Sequence, residues 1–257
     1  MMNIYYKEIS NEIGIFKAAF LKKLPVIIKG PTGCGKSRFV EKMSQELNVP
    51  LIQVACNEET SSVDLQGRYL MQSGNTIWHD GPALTAVKNG YILYLDEISE
   101  AREDVIVVIH PLSDHRRELY VDKKNEVIKA HDNFMLVASY NPGYQNKIKD
   151  LKPSTKQRFV SLHFKYPAID IEKEILCNET GIDQQNAEKL VKYAQKLRNL
   201  KDLDLLETVS TRLLINAAKL MMTGLNVDIA CNVGIIKTLT DDLEVQSSLN
   251  DLLTLIF

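Results

Sequence analysis

One stretch of this sequence constrains the fold more than any other. Residues 30–37 read GPTGCGKS and fill every specified position of the pattern G-x-x-x-x-G-K-[S/T], in which backbone N–H groups surround phosphate oxygens. A short apolar run, LPVIIK, precedes the stretch, and a helical pattern follows it. Strand, glycine loop and helix N-terminus in this order direct the backbone dipoles at an anion. The stretch therefore predicts a site for a nucleoside triphosphate.

Each residue of this loop has an expected task. Gly30, Gly33 and Gly35 allow backbone conformations and close approaches to phosphate that a side chain would prevent. Lys36 is expected to reach the β- and γ-phosphates, and the Ser37 hydroxyl to ligate Mg²⁺. The other positions expected to line the cofactor site are Pro31, Thr32 and Cys34. The alternative is a glycine-rich turn that matches by accident, and the flanking strand and helix argue against it.

Composition limits the classes of protein to which the chain can belong. Its 257 residues allow one large domain or two smaller ones, and 45% hydrophobic and 25% charged residues are ordinary for a globular protein. The formal net charge of −2 gives no electrostatic argument for a nucleic-acid or membrane partner. The N-terminus has no signal-peptide pattern, and no apolar run approaches the ~20 residues that cross a bilayer. We therefore expect a cytoplasmic protein without membrane insertion.

Cysteine and histidine spacing does not favour a disulfide framework or a zinc site. The four cysteines are scattered without a C-x-x-C pair, and we expect them to be reduced core or loop residues. His110, Asp114 and His115 are close in sequence, but the two imidazoles are not four residues apart, as ligands on one helix face would be. A metal site there remains the weaker alternative. The G-x-S-x-G motif of a nucleophilic serine is also missing.

Strand and helix patterns alternate along the first two thirds of the chain, after a helical lead-in. Five apolar runs predict strands, at residues 24–29, 51–55, 91–95, 134–140 and 160–164. This alternation predicts an α/β fold with a parallel sheet between helices. From Asp170 onward the periodicity is helical only, and Ser210 is a predicted N-cap. We therefore expect a nucleotide-binding α/β domain at residues 1–166 and a small all-helical domain at residues 167–257.

Two segments interrupt the alternation as predicted β-hairpins. Residues 68–79 contain two extended segments on either side of a turn at residues 73–75. Residues 118–121 and 126–129 likewise lie on either side of a connection at residues 122–125. Before the first hairpin, Ser61, Ser62 and Asp64 open a polar stretch that ends at Gly67.

Two carboxylates, Asp96 and Glu97, follow the apolar run at residues 91–95. Ligands of parallel sheets bind at the carboxyl ends of the strands. We expect Asp96 to hold Mg²⁺ directly or through water, and Glu97 to orient and activate the attacking water. The alternative is a solvated Asp-Glu pair that only ends a strand.

Five motifs taken together resemble a known family. GPTGCGKS, YILYLDE, ASYNP, STKQRF and STRLL occur in this order and end in a helical C-terminal region. The set is similar to the AAA+ ATPases of the MoxR group, and within it to the CbbQ/NirQ/NorQ branch. The resemblance extends over nearly the whole chain, including the segments IHPLSDHRR, YNPGYQ and TDDLEVQ. It implies an ATP-hydrolysing, Mg²⁺-dependent P-loop AAA+ core with hairpin insertions, followed by a helical lid domain.

The resemblance also implies roles for three more residues. Asn141 resembles the sensor-1 residue, which helps to place the attacking water near the γ-phosphate. Arg158 resembles the arginine finger, which reaches into the nucleotide site of the neighbouring subunit. Arg212 resembles the sensor-2 arginine on a lid helix that faces the phosphates. Taken alone, each reads more readily as a turn asparagine or a surface arginine, and only the order of the motifs reverses that preference.

For the whole protein, the resemblance implies a remodelling factor that forms a ring of identical subunits, expected to be a hexamer. Such factors bring a client enzyme to its active state, in this branch nitric-oxide reductase or Rubisco, with a partner protein that carries a von Willebrand A domain. One competing hypothesis is a nucleic-acid motor or loader on the same fold, against which the near-neutral charge argues. The other is a nucleotide-gated scaffold without hydrolysis. The presence of Glu97, the residue expected to activate water, disfavours it.

The hairpins resemble insertions that line or cap the ring pore and contact clients. Four residues of the first hairpin are candidates for a client surface, although such side chains pack equally often on their own sheet: Tyr69, Leu70, Ile77 and Trp78. Four lysines precede Arg158 and are interpreted as a solvated loop at a subunit edge rather than a DNA contact: Lys147, Lys149, Lys152 and Lys156.

Overall fold

The computed structural model describes residues 4–142, 151–200 and 208–257, which divide into two compact units. The core unit comprises the described residues of Ser10–Gly30 and Lys36–Phe164. The helical unit comprises the described residues of Met1–Ile9, Pro31–Gly35 and Lys165–Phe257, so that it includes residues 31–35 of the phosphate loop. The fold is α/β, as predicted. A domain boundary after residue 166 stays a prediction.

The described part of the core unit contains nine strands: β1 (Val26–Lys29), β2 (Leu51–Ala55), β3 (Gly67–Gln72), β4 (Asn75–Asp80), β5 (Ile92–Asp96), β6 (Glu118–Val121), β7 (Glu126–Lys129), β8 (Met135–Tyr140) and β9 (Val160–His163). Five of them form a parallel sheet in the order β2-β5-β8-β1-β9. All five correspond to the predicted apolar runs. The pairs β3–β4 and β6–β7 are antiparallel and form the two predicted hairpins.

Helices flank these strands in the core unit: α1 (Glu12–Leu21), α2 (Lys36–Leu47), α3 (Ser62–Gln66), α4 (Pro82–Asn89), α5 (Glu103–Ile109) and α6 (Pro153–Lys156). Helix α3 lies within the stretch that the sequence indicated only as polar. Ser61 accepts a hydrogen bond from the Asp64 N–H while the Asp64 carboxylate accepts one from the Ser61 N–H. This reciprocal capping begins the helix. The Ser-x-x-Asp spacing was the signal in the sequence.

The strand order brings the ends of three strands to one edge of the sheet. Strand β1 lies between β8 and β9, and Lys29 is in register with Tyr140. On the far side of β8, Leu95 of β5 is in register with Ala138. The chain therefore leaves β1, β5 and β8 at neighbouring points, at the reversal of strand order where parallel sheets bind ligands.

The described part of the helical unit contains six α-helices: α7 (Ile169–Thr180), α8 (Gln184–Asn199), α9 (Thr211–Met222), α10 (Val227–Cys231), α11 (Lys237–Leu239) and α12 (Leu243–Thr254), with a π-helical turn at Asn232–Ile236. Ser210 caps α9 as predicted, since its hydroxyl accepts a hydrogen bond from the Leu213 N–H. Leu214 and Ala217 of α9 are fully buried with Leu190 of α8, which gives this unit its own hydrophobic core. Within the described ranges, no helix of either unit is long and apolar enough to span a bilayer.

Candidate functional site

In the core unit, the end of the phosphate loop contacts the end of β5. The Ser37 Oγ donates a hydrogen bond to Asp96 Oδ2 at 3.0 Å, although the two residues are 59 positions apart. Lys36 Nζ donates to the Gly30 carbonyl at 2.8 Å, across the loop that joins β1 to α2. The structure thus places four of the residues that the sequence assigned to one site in two hydrogen-bonded pairs.

Gly30 has a structural role that the sequence did not reveal. A Cβ at this position would lie 2.6 Å from the Phe164 carbonyl oxygen and 2.8 Å from the Phe164 Cβ. Phe164 directly follows β9, whose backbone runs beside β1. Close packing between neighbouring segments therefore requires glycine here, whatever the loop binds.

Asp96 is held by two hydroxyl groups that sequence reasoning did not identify. Its Oδ1 accepts a hydrogen bond from the Tyr94 hydroxyl at 2.8 Å and another from the Ser139 Oγ. Tyr94 and Ser139 are both fully buried. Burial and the charge of Asp96 raise the pKa of Tyr94, so its hydroxyl stays a donor at neutral pH. Because Oδ1 is engaged, Oδ2 is the oxygen turned toward Ser37.

The Ser37 and Asp96 oxygens fit a magnesium ion. Mg²⁺ takes hydroxyl and carboxylate oxygens at about 2.0–2.1 Å in an octahedron, whose adjacent corners are then about 2.9 Å apart. The observed separation of Ser37 Oγ and Asp96 Oδ2 is 3.0 Å. In nucleotide enzymes Mg²⁺ needs few protein ligands, because phosphate oxygens and water complete the coordination. The donor set is therefore suited to the metal role expected of these two residues.

Glu97 has a strained backbone conformation. Its φ of 55° and ψ of 44° lie in the left-handed region, which costs a residue with a Cβ about 1–2 kcal/mol. The Glu97 N–H donates to Ser139 Oγ at 3.3 Å, so the serine that holds Asp96 also holds this backbone. The Glu97 side chain is exposed. It is therefore accessible at the sheet edge where Asp96 is fixed.

Asn141 directly follows β8 and is half-buried, at the strand end next to β1 and β5. The YNPGYQ segment continues into residues 143–150, which lie outside the described residues together with Lys147 and Lys149. Lys152 and Lys156 are described, at the start and end of α6.

Arg158 lies in a cluster of charged side chains after α6. Its Nη1 donates to Asp114 Oδ2 at 2.9 Å, and Arg116 Nη2 donates to the same oxygen at 2.7 Å. The hydrogen bond from Arg116, with a further one from Arg158, holds the pKa of Asp114 well below its usual range. His110 Nε2 lies 3.1 Å from Thr155 Oγ1. In the described residues no group of three or more His, Cys, Asp or Glu side chains is arranged to hold a metal, and Asp114 instead orients two arginines.

In the helical unit, Gly33 of the phosphate loop packs against the start of α9. Gly33 and Gly35 have φ of 68° and 98°, the left-handed conformations expected of the loop glycines. A Cβ on Gly33 would lie 2.7 Å from Ser210 Oγ and 3.2 Å from the Arg212 Cβ. The residue with the sensor-2 pattern, Arg212, therefore lies beside the loop. Its side chain is exposed.

Another residue of the helical unit, Tyr166, contacts the phosphate loop at Thr32. The Tyr166 hydroxyl donates to the Thr32 carbonyl at 3.0 Å. Cys34 is buried, while Pro31 and Thr32 are half-buried. None of the four cysteines, all of which lie in the described ranges, forms a disulfide.

Comparisons with known proteins assign the chain to a family. The family model of an AAA domain, dynein-related subfamily, matches residues 25–159, and that of the CbbQ/NirQ/NorQ C-terminal region matches residues 172–256. Protein CbbQ of Hydrogenophilus thermoluteolus is 51% identical over 95% of this chain and 92% of that protein. Protein NorQ of Paracoccus denitrificans is 51% identical over 98% and 94%. The denitrification regulatory protein NirQ of Pseudomonas aeruginosa is 49% identical over 98% and 96%.

Solved structures agree on the fold. Two RuvB variants of Thermotoga maritima superpose with TM-scores of 0.57 and 0.56, covering 96% and 95% of this chain and 71% and 69% of those chains. Their identities of 16% and 15% show the fold alone. The sequence relatives, which match along nearly their whole length, show more: the chain belongs to the AAA+ ATPases, in the CbbQ/NirQ/NorQ branch of the MoxR type.

Proposed function

We propose that this protein hydrolyses ATP to ADP and phosphate with Mg²⁺ and uses that reaction to bring a client enzyme to its active state. The observation that carries the proposal is the contact of Ser37 Oγ with Asp96 Oδ2 at 3.0 Å, with Glu97 next in the chain. A loop of this pattern, a carboxylate in reach of its serine and a second carboxylate beside it are the parts that phosphoryl transfer to water needs.

Nucleotide binding falls to the loop. The backbone N–H groups of the loop would surround the phosphates, and Lys36 Nζ would exchange its contact with the Gly30 carbonyl for the β- and γ-phosphate oxygens. Ser37 and Asp96 hold the Mg²⁺, which when bound neutralises charge on the phosphate oxygens. Tyr94 and Ser139 keep the Asp96 carboxylate in place for this task.

Catalysis falls to the side chains around the γ-phosphate position. Glu97 orients and activates the attacking water, and Asn141 helps to place it. Arg212 approaches the phosphates from the lid. The strained backbone of Glu97 supports its role, because such conformations persist where the surrounding contacts enforce them and cluster at functional sites.

Arg158 acts on the site of a neighbouring copy. We propose a hexameric ring in which each subunit supplies this arginine to the next, where it stabilises charge on the transferring phosphoryl group. The contact with Asp114 at 2.9 Å supports the assignment, since it holds the guanidinium in a defined direction while about a third of the side chain stays exposed, at 31%.

The proposed client and partner rest on the resemblance to the family. Identity of about half the residues with proteins named CbbQ, NorQ and NirQ supports a client of the kind that this branch serves, nitric-oxide reductase or Rubisco, and a partner with a von Willebrand A domain. The helical domain at residues 167–257 works as the lid of the nucleotide site, and the α/β domain at residues 1–166 carries the hydrolytic residues. We propose that the protein acts in the cytoplasm, where ATP is available.

One set of variants tests the proposed function. Lys36→Ala is expected to abolish ATP binding, because it removes the charge that faces the phosphates. Glu97→Gln is expected to bind ATP and Mg²⁺ with wild-type affinity and to lose turnover by at least about 100-fold, because the amide keeps the shape but cannot activate water. Binding is measured by calorimetry and turnover by phosphate release.

The matched control is Glu100→Gln, the same change in the 3₁₀ turn that follows Glu97. This variant should hydrolyse ATP at the wild-type rate. Wild-type affinity in Lys36→Ala would contradict the phosphate-loop assignment. Turnover of Glu97→Gln close to that of Glu100→Gln would show that Glu97 is not the catalytic carboxylate.

A further inference from the structure

A set of polar side chains lies behind the phosphate loop in the helical unit. We call Tyr166, Glu172, Arg198 and Thr211 the loop-support network. Glu172 of α7 is fully buried, and both of its oxygens accept hydrogen bonds from Arg198 of α8, each at 2.7 Å. The Thr211 Oγ1 donates to the same carboxylate at 2.6 Å. A buried carboxylate with three charge-assisted or hydroxyl donors is held in one position.

The network reaches the phosphate loop through Tyr166. The Arg198 guanidinium lies 4.2 Å from the centroid of the Tyr166 ring, which is a cation–π contact. The Tyr166 hydroxyl donates to the Thr32 carbonyl at 3.0 Å. Burial raises the pKa of Tyr166 to about 12, so the hydroxyl keeps its proton at neutral pH.

The contact with Thr32 determines the direction of a neighbouring backbone donor. The Thr32 carbonyl and the Gly33 N–H belong to the same planar trans peptide, in which the C=O and N–H bonds point in opposite directions. A hydroxyl that fixes the carbonyl therefore fixes the N–H as well. Backbone N–H groups of this loop are the donors that surround phosphate.

The network also reaches the same peptide from its other side. Thr211 is the first residue of α9, and Ser210 precedes it. Ser210 lies so close to Gly33 that a Cβ on Gly33 would be 2.7 Å from Ser210 Oγ. The bond from Thr211 to Glu172 therefore fixes the part of α9 on which Gly33 packs. Two separate contacts of one network thus hold the peptide between Thr32 and Gly33.

We propose that Tyr166 is a positioning residue for nucleotide binding, and that the loop-support network behind it holds the peptide between Thr32 and Gly33 in the orientation that binds phosphate. This inference rests on the proposed nucleotide function. It assigns a task to a buried ion pair that the hydrolytic mechanism does not use. Its consequence is that nucleotide affinity depends on a hydroxyl group whose hydrogen bond goes to the protein backbone.

The test compares two tyrosines that donate to backbone carbonyls in the same unit. Tyr166→Phe removes the hydroxyl that contacts Thr32, while Tyr193→Phe removes one that donates to the Leu249 carbonyl at 3.0 Å. Loss of one such hydrogen bond is expected to raise the Kd of Tyr166→Phe for Mg²⁺-ADP by about 3- to 10-fold, measured by calorimetry. In hydrolysis assays the change should appear in KM rather than in kcat. Tyr193→Phe should lower the Tm and keep the wild-type Kd.

A Kd of Tyr166→Phe within about twofold of wild type, or an equal rise in Tyr193→Phe, overturns the inference. If Tyr166→Phe does not fold, Thr211→Val tests the other contact, and an unchanged Kd in that variant overturns the inference equally. A wild-type protein that binds no nucleotide overturns the proposed function and this inference with it. Wild-type binding with an unchanged variant affinity overturns the inference alone.

Discussion

The two hairpins of the core unit share a topology but differ in their surroundings. In β3–β4, Tyr69, Met71 and Ile77 are exposed by 50%, 82% and 43%. In β6–β7, Leu119 and Val121 of β6 are fully buried in the main hydrophobic core. One face of the second hairpin therefore belongs to the core, while Tyr120 and Val127 are exposed on it as well. In the first hairpin, by contrast, every strand residue except Gly67 and Trp78 is exposed. Turn residues specify that two strands pair, but not which face of the pair is covered.

Trp78 differs from the other candidates for a client surface. It is half-buried and packs against the main core, and its Nε1–H donates to Asp80 Oδ1 at 2.7 Å. Its cross-strand partner Tyr69 meets it edge to face, with ring centroids 4.9 Å apart. Trp78 therefore anchors the first hairpin to its own unit. Tyr69, Leu70 and Ile77 remain the proposed client surface, and apolar exposure of this extent is typical of binding sites.

The largest effect is expected from a leucine-to-alanine substitution, which is made once in each hairpin to test the difference in burial. Leu119→Ala should lower the free energy of unfolding by about 2–5 kcal/mol, because it opens a cavity in the core. Leu70→Ala, at a residue 38% exposed, should change it by less than about 1 kcal/mol. Denaturant unfolding of both variants measures the difference. Equal destabilisation by the two substitutions would contradict the distinction between a core hairpin and an exposed one.

An intermediate effect is expected for Trp78→Ala. Truncating a fully buried tryptophan costs about 3–5 kcal/mol, and half-burial should reduce the loss to about 1–3 kcal/mol. Thermal melting measures this loss, and ATP turnover of the folded protein should stay near the wild-type rate. Tyr69→Ala, which removes the exposed ring of the same pair, is the control and should lower the Tm less. An unchanged Tm in Trp78→Ala would show that Trp78 is free of the core and would return it to the proposed client surface.

Local sequence patterns predicted most elements, because strands, caps and turns depend on neighbouring residues. The hairpin turn at Ser73 and Gly74 was predicted, and both residues have the positive φ that such two-residue turns need. Helix α4 likewise begins at Pro82 and ends before Gly90, as the sequence indicated. The contact between Ser37 and Asp96 could be predicted from the sequence only because each residue belongs to a recognisable motif.

Contacts between residues without a motif could not be predicted. Ser139 lies in an apolar strand, and only the pairing of β5 with β8 reveals that its hydroxyl meets Asp96. Asp114 was considered as a metal ligand, and the partner that engages it, Arg158, is 44 residues away. Glu172 looks like any charged residue in the first turn of a helix until the structure places it, fully buried, beside Arg198. Burial and long-range pairing depend on the assembled fold, and a local pattern does not contain them.

The smallest expected effect concerns acid stability at the base of the first hairpin. Burial alone would raise the pKa of Asp80, but hydrogen bonds from Lys88 and Trp78 outweigh it and hold the pKa below its ordinary value. A carboxylate with a lowered pKa in the folded state stabilises the fold above its unfolded pKa of about 3.9, and that contribution disappears as the pH falls through the folded pKa. The pair of Asp80 with Lys88 lies near the surface, so the contribution should not exceed about 1 kcal/mol. Asp80→Asn should therefore have a lower Tm than wild type at pH 6, and the two Tm values should converge as the pH falls below about 4.

The same change in the other hairpin, Asp122→Asn, alters the net charge equally at an exposed residue and should leave the Tm near that of wild type at pH 6. If the difference in Tm between Asp80→Asn and wild type persists unchanged down to about pH 2, the ionised carboxylate does not stabilise the hairpin. The packing of Trp78 would then be the contact that holds the hairpin to its unit.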